Sequence, residues 1–365
     1  MSSVTFNDVL LIKNGKNQKQ VENPDGKYPI YGSGGIMGYA DDYICNADTV
    51  VVGRKGNINK PLYVEKPFWN VDTAFGLEAD RDVLLPKYLY YFCLRFDFER
   101  LNKAVTIPSL TKADLLKIEL DLPEIATQKT ITERLERIEQ IMALRKKELQ
   151  RFDELIKCRF VEMFGDPDKN EMGWRKELLS EHIIRANNGM ARRGNDEEGS
   201  IVMRLVELQD GYIDYSSPNR IILTEKEKKK YLLEEKDFLF VRVNGNPDNV
   251  GRCAVFHEIG EPVYHNDHII RVHFNENDID GPFASALFNS EYGKRQLRNQ
   301  IKTSAGQYTV SQDGIGAIET ILPPIELQRQ FATFVNQVDK SKVAVQRALD
   351  KTQLLFDSLM QEYFG

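Results

Sequence analysis

A chain of 365 residues, 41% apolar and 28% charged, has room for two medium domains and a spacer, each domain with a core of its own. No stretch approaches the ~18–20 uninterrupted apolar residues of a membrane span, and the start lacks the basic and apolar regions of a signal peptide. The net charge of −6 is spread evenly: 13 basic against 13 acidic groups in residues 1–104, 12 against 13 in 105–170, 19 against 22 in 171–304 and 5 against 7 in 305–365. No segment is a basic domain, so any DNA contact must rest on local clusters or on a partner's charge. Cys45, Cys93, Cys158 and Cys253 form no CxxC pair, and reduced cytoplasmic thiols are expected.

Residues 1–108 read as a first α+β domain. Short apolar runs (Val9 to Ile12, Thr49 to Val52, Leu62 to Val64, Ala74 and Phe75) are joined by Gly/Asn turns and followed by a helix from Pro86 to Phe96. Gly32-Ser33-Gly34-Gly35 is a turn, since GxGxxG is not completed and no GxxxxGK[ST] occurs. Tyr88, Tyr90, Tyr91, Phe92, Phe96 and Phe98 could stack on bases, but their density within a helical stretch favours core packing. The tract Gly53 to Lys60 sets Arg54, Lys55, Asn57, Asn59 and Lys60 on a flexible turn, with donors suited to phosphates and guanine edges. The plain alternative is a hairpin turn with solvated charges. Thr106-Ile107-Pro108-Ser109 precedes the spacer and could reach DNA, although a plain linker is the favoured reading.

Residues 109–170 form a first spacer segment and 309–365 a second, because the last 44 residues repeat, ungapped, a segment 200 positions earlier. Nine positions are identical: Leu122, Pro123, Ile125, Gln128, Leu149, Leu155, Glu162, Phe164 and Gly165 against their partners. Chance gives roughly two or three. Ile131, Leu135, Ile138, Met142, Arg145, Leu149, Phe152, Ile156, Arg159 and Met163 step by four and three, an a/d seam. The second copy reads Phe331, Val335, Val338, Lys342, Val345, Leu349, Thr352, Phe356, Leu359 and Tyr363. Polar seam residues in one copy stand where the other is apolar, so the two helices are expected to pair with each other. Each would be about 55–60 Å long at 1.5 Å per residue. Both copies end in Phe-Gly, which places Gly165 and Gly365 for a left-handed C-cap.

Residues 171–308 read as a second, larger α+β domain with an insertion around Glu225 to Lys230 and a helix from Pro282 to Tyr292. Phe238 to Val241 leads into Arg242-Val243-Asn244-Gly245-Asn246, as Thr49 to Val52 leads into the Arg54 turn. Arg242, Asn244, Asn246 and Arg252 are candidates for guanine and adenine readout; Arg192 and Arg193 form a second basic loop, for which surface solubility is the equal alternative. His265 and His268 stand three apart with His257 and Cys253 nearby, but the region reads as strand and no second ligand pair accompanies them, so no metal is expected. Gly306-Gln307-Tyr308-Thr309 precedes the second spacer and could likewise reach DNA, although a plain linker is the favoured reading. This domain must join the C-end of helix one to the N-end of helix two, which antiparallel pairing brings together. The expected architecture is two α+β domains separated by two long antiparallel α-helices, with a pseudo-two-fold axis.

Two variable α+β domains, each followed by Leu-Pro-x-x-x-x-Gln and a long helix ending in Phe-Gly, resemble the specificity subunit of type I restriction–modification systems. Phe164-Gly165-Asp166-Pro167 followed by Gly173-Trp174 matches the family's passage into its second recognition domain. The chain differs from the longest members in starting directly in its first recognition domain. The resemblance implies two target recognition domains, each reading one half of a bipartite site on double-stranded DNA. It implies a helical ruler that seats two methyltransferase subunits, with restriction/translocase subunits joining for cleavage. No cofactor is implied, and the chain is expected to be non-catalytic. It has no Asn-Pro-Pro-aromatic or Asp-Pro-Pro-aromatic motif, nucleotide loop or nuclease-like carboxylate–lysine cluster. The rival reading is a coiled-coil adaptor whose end domains bind proteins or glycans.

Overall fold

The computed structural model describes residues 2–104, 106–304 and 306–365. The chain divides into two units: Met1–Lys147 with Gln346–Gly365, and Glu148–Val345.

In the N-terminal unit the five residues of Thr49–Gly53 are all buried, as suits a β-branched strand sandwiched on both faces. It lies inside a four-stranded antiparallel sheet in the order Leu10–Asn14, Ala74–Ala79, Thr49–Gly53, Leu62–Val64. The period of two divides its side chains: Val50 and Val52 pack in one core with Tyr88, Leu89 and Phe92 of helix Pro86–Arg95, while Val51 packs in another with Cys45 and Phe68. A three-stranded sheet runs Gly35–Ala40, Tyr28–Gly32, Trp69–Asn70, with the first pair antiparallel and the second parallel. The aromatic run is core: Tyr88, Tyr91, Phe92 and Phe98 are buried.

The C-terminal unit repeats this plan. Its four-stranded antiparallel sheet runs Ile183–Asn188, Ile269–Phe274, Phe238–Val241, Cys253–Val255. Phe238 and Phe240 face helix Gly281–Phe288, and Leu239 and Val241 face a core with Ile201, Met203 and Phe256. Its three-stranded sheet, Arg220–Ile221, Ser200–Met203, Val263–His265, has the same antiparallel and parallel pairs. The single helix expected from Pro282 to Tyr292 is two, Gly281–Phe288 and Glu291–Asn299. The break falls where Ser290 leaves helical geometry and its side chain caps the Gly293 N–H at 3.2 Å.

Two glycines mark the same crossing in both units. A Cβ on Gly15 would lie 1.8 Å from the Val71 carbonyl oxygen, and one on Gly189 would lie 2.2 Å from that of His265. The next residue then donates its N–H to the parallel strand's last residue: Lys16 to Asn70 at 2.8 Å, Met190 to His265 at 3.0 Å. No side chain fits at that approach.

The spacer segments begin later as helix than residues 109 and 309. Thr111 and Ser311 cap short helices, Lys112–Leu115 and Gln312–Gly316. Strand Glu119–Leu122 then pairs antiparallel with Ser2–Thr5, and Glu319–Leu322 with Arg175–Leu178. The long helices span Ile125–Phe164 and Ile325–Phe364, 40 residues each. The repeated glutamine explains the lead-in motif. Gln128 is fully buried; its Oε1 accepts from Leu85 N at 2.8 Å, and its Nε2 donates to Val83 O and Pro123 O, both at 2.8 Å. Gln328 does the same with Asp280 N (2.9 Å), Asp278 O (2.9 Å) and Pro323 O (2.8 Å). Each amide ties the first helical turn to the loop before the helix that covers the sheet. Losing one strands several buried polar groups at about 1–3 kcal/mol each.

All of the seam positions are buried or half-buried, which fixes the register. Within the N-terminal unit Arg134 donates to the Tyr363 hydroxyl at 3.1 Å, and Arg145 donates to Ala348 O and Thr352 Oγ1. Within the C-terminal unit Asp153 pairs with Lys342 at 2.8 Å, and the Phe160 and Phe331 rings meet at 5.7 Å. Ascending numbers on one helix meet descending numbers on the other, so the pairing is antiparallel in both units. Of the polar seam residues, Arg145 and Thr352 answer each other, Lys342 pairs with Asp153, and Arg159 pairs with Glu162 of its own helix while lying over the Phe334 ring. Gly165 takes the left-handed C-cap with φ +74°, whereas Gly365 does not. Among the described residues no helix is long and apolar enough to cross a membrane.

Candidate nucleic-acid interface

Strand Thr49–Gly53 delivers Arg54 to the rim of the N-terminal unit. Arg54 N donates to Thr73 O at 2.8 Å, and Arg54 O accepts from Leu110 N at 2.9 Å. Gly56 N donates to Pro108 O at 3.0 Å, and Lys55 bridges Ser109. Pro108 and Ser109 are therefore tied to the basic turn, while Thr106 and Ile107 form a bend before them. The hairpin turn at Gly32–Gly35 lies alongside: a Cβ on Gly53 would come within 3.1 Å of Ser33 Cβ. Three segments, distant in sequence, converge on one rim.

The side chains on this rim divide into anchors and free donors. Asn59 is an anchor: Nδ2 donates to Asp97 Oδ1 at 2.9 Å and Oδ1 accepts from Phe98 N at 2.6 Å. The Asn59 amide holds the Asp97 carboxyl below its ordinary range. Ile58 is buried beside it. Arg54, Lys55, Asn57 and Lys60 are exposed, and among the described residues their side chains make no ion pair or hydrogen bond. The Arg54 guanidinium rests 5.7 Å over the Phe75 ring, which aims it without neutralising it.

The C-terminal unit builds the same rim from different parts. Arg242 N donates to His268 O at 2.7 Å, and Arg242 O accepts from Val310 N at 2.9 Å, making Arg242 the counterpart of Arg54. Val243–Asn244 pairs with Gln307–Thr309, so here the apparent linker is a strand. The cations, however, are held. Arg242 Nε donates to Asp267 O at 2.6 Å. Arg193 pairs with Asp267 at 2.6 Å, and Arg192 with Glu227 at 3.0 Å. Arg192 pulls the Glu227 carboxyl down to about 2. Arg252 donates to Gln209 at 3.2 Å and lies 3.4 Å from Asp210. Asn244 and Asn246 accept from Asn246 N (2.9 Å) and Asp248 N (3.0 Å), which shapes their loop.

The histidines do not converge. His265 is fully buried with Nδ1 3.1 Å from Tyr231 O, and burial lowers its pKa to about 4. His257 pairs with Glu235, and His268 contacts Arg193. Among the described residues the groups whose donor atoms could meet on one ion are Glu177, Glu181, His182 and Glu234, Asp237, His273, and neither includes these three histidines or Cys253. In the first, both ring nitrogens of His182 already face carboxylates, Asp278 at 3.1 Å and Glu177 at 3.0 Å. Residues 204–219 are a part of this unit that the sequence motifs do not mark. They connect strands Ser200–Met203 and Arg220–Ile221, where the N-terminal unit has only the Gly32–Gly35 turn. That difference in length between matching strands is the signal that would have exposed them.

The family model for the type I restriction modification DNA specificity domain matches residues 1–152 and 197–352. The chain is 28% identical over 337 residues to the type I restriction enzyme StySPI specificity subunit of Salmonella potsdam, covering 86% of this chain and 72% of that one. It is 22% identical over 335 residues to the EcoKI specificity subunit of Escherichia coli (strain K12), with the same coverage. The fold is similar to the crystal structure of the type I restriction–modification S subunit from M. genitalium, with a TM-score of 0.65 at 18% identity over 100% of this chain and 96% of that one. With both halves of the chain matched and the same sheet plan built twice, this chain belongs to the type I restriction–modification DNA specificity family.

Proposed function

We propose that the chain reads a bipartite, asymmetric site on double-stranded DNA, one half-site per unit. In this reading residues 1–108 and 171–308 are the two target recognition domains, and the helical segments between and after them set the gap. The observation that carries it is the rim built twice on one topology, around Arg54 and around Arg242, with different side chains in each. A shared frame with divergent tips suits two readers of unlike sequences. The long helices seat two methyltransferase subunits, which restriction/translocase subunits join. In support, the helices expose apolar side chains outside the seam: Ile141, Leu144, Leu354 and Leu355 in one unit, Leu155, Val161 and Val343 in the other. Catalysis belongs to the partners; the rims offer donors, not a nucleophile beside a base.

One heptad inserted into both long helices adds about 10 Å at 1.5 Å per residue. The methylated sites in a host carrying this variant and its methyltransferase should then have a gap longer by about three base pairs. An unchanged gap would refute the ruler. The ion-paired cations of the C-terminal unit favour a second reading, an adaptor that binds proteins or glycans. Duplex binding that weakens steeply with salt, with and without methyltransferase, separates the two.

A further inference from the structure

The segment 204–219 of the C-terminal unit is anchored at both ends. Glu207, buried, caps Arg204 N at 2.7 Å and pairs with the Arg204 guanidinium, which closes a turn with Val206 at its exposed tip. Gly211 N donates to Cys253 O at 2.9 Å, docking the segment on the strand Cys253–Val255. Opposite stands the loop after Val241, itself closed by Gly251 N donating to Val241 O at 2.8 Å. Between them lies a surface hollow of about 220 Å³, walled by Leu205, Val206, Gln209, Asn244, Asn249 and Arg252 over the buried Val241.

The wall chemistry is specific. Asn244 Oδ1 is committed to Asn246 N, which leaves its Nδ2 without a partner among the described residues. The Asn249 amide makes no side-chain hydrogen bond there either. Arg252 is drawn sideways toward Gln209 and toward Asp210, a carboxylate it shares with Lys294. The hollow thus offers unspent amides beside an exposed apolar tip rather than a free guanidinium fork. An amide pairs bidentately with adenine N6 and N7, an apolar side chain meets the thymine methyl, and guanine calls for Arg or Lys.

We infer that this hollow reads one A·T base pair of the second half-site, with Asn249 on the adenine edge and Val206 against the thymine methyl. The inference rests on the two-reader function proposed above. The two loops hold these side chains before DNA arrives, so little ordering is needed on binding.

The test uses the chain assembled with its methyltransferase on a duplex library varied through both half-sites. Asn249→Ala should relax preference for A·T at one second-half-site position by about fivefold or more while leaving the first half-site unchanged. The unchanged half also reports that the complex is folded and assembled. Val206→Ala should abolish discrimination between thymidine and deoxyuridine at that position, which the unaltered chain should show. An unaltered second half-site in both variants, a relaxed position that prefers G·C, or a uniform loss at all positions would overturn the assignment while the two-reader function stands. If the unaltered chain directs no sequence-dependent methylation, that function falls and the assignment with it.

Discussion

The two units share a frame and differ at the rim. Strand order, the glycine crossing at Gly15 and Gly189, and the buried clamps Gln128 and Gln328 are the same in both. At the rim the N-terminal unit presents Arg54, Lys55 and Lys60 on short turns, unpaired among the described residues. The C-terminal unit answers Arg192, Arg193 and Arg252 with Glu227, Asp267 and Asp210, and adds the segment 204–219. In the proposed reading one unit attracts phosphate charge and the other holds reading groups in fixed positions. On that reading a near-neutral chain carries a DNA rim because its frame is separable from its tips.

Equivalence of the frames is broken most directly at the clamps. Gln128→Ala and Gln328→Ala should each destabilise their unit by about 2–5 kcal/mol, and by equal amounts to within about 1 kcal/mol, because each strands the same set of buried groups. Trp69 and Trp174 lie one in each unit, so urea unfolding of single-tryptophan variants reads the two losses separately. A large loss in only one unit would show that the frames are not energetically alike.

A smaller contrast lies at the end of the parallel strand, where Asn70 and His265 hold the same place, both buried. Burial, first, and then the Arg271 charge exclude the imidazolium, lowering His265 from 6.5 to about 4. As pH falls below 6.5 the unfolded chain takes up this proton first. The folded C-terminal unit therefore loses stability down to about pH 4, by on the order of 3 kcal/mol. His265→Asn, which imports the other unit's residue, should flatten that part of its pH–stability curve. A curve of unchanged slope would contradict the burial argument.

The smallest effect is electrostatic. Replacing Arg54, Lys55 and Lys60 by Ala should lower the slope of log affinity against log salt by up to ~3, since each is free to release a phosphate counterion. Replacing Arg192, Arg193 and Arg252 should lower it by less than ~1. Equal changes in DNA-binding titrations would erase the proposed division of labour between the rims.

Much of the frame was legible because periodicity records it. The seam residues from Ile131 to Met163 and Phe331 to Tyr363 are all buried or half-buried. The 200-residue offset marks the clamps, though not why glutamine stands there; that depends on loops 45 and 50 residues distant. The rim was legible in residue type but not in role. Asn59 reads as a base donor and is an anchor, because its partners, Asp97 and Phe98, are remote in sequence. Thr106 to Ser109 and Gln307–Thr309 read as linkers because one isolated bridge, at Ser109, or a strand of three residues shows no alternation. Ion pairing of Arg193 with Asp267 spans 74 positions and leaves no local trace.

The central claim is that each unit reads its own half-site. Its most direct test is to replace residues 172–304 with the same region of another member of this family and profile the methylated sites in a host carrying the chimera and the original methyltransferase. One half of the bipartite sequence should change while the other half stays as it was. A change in both halves, or in neither, would contradict the account.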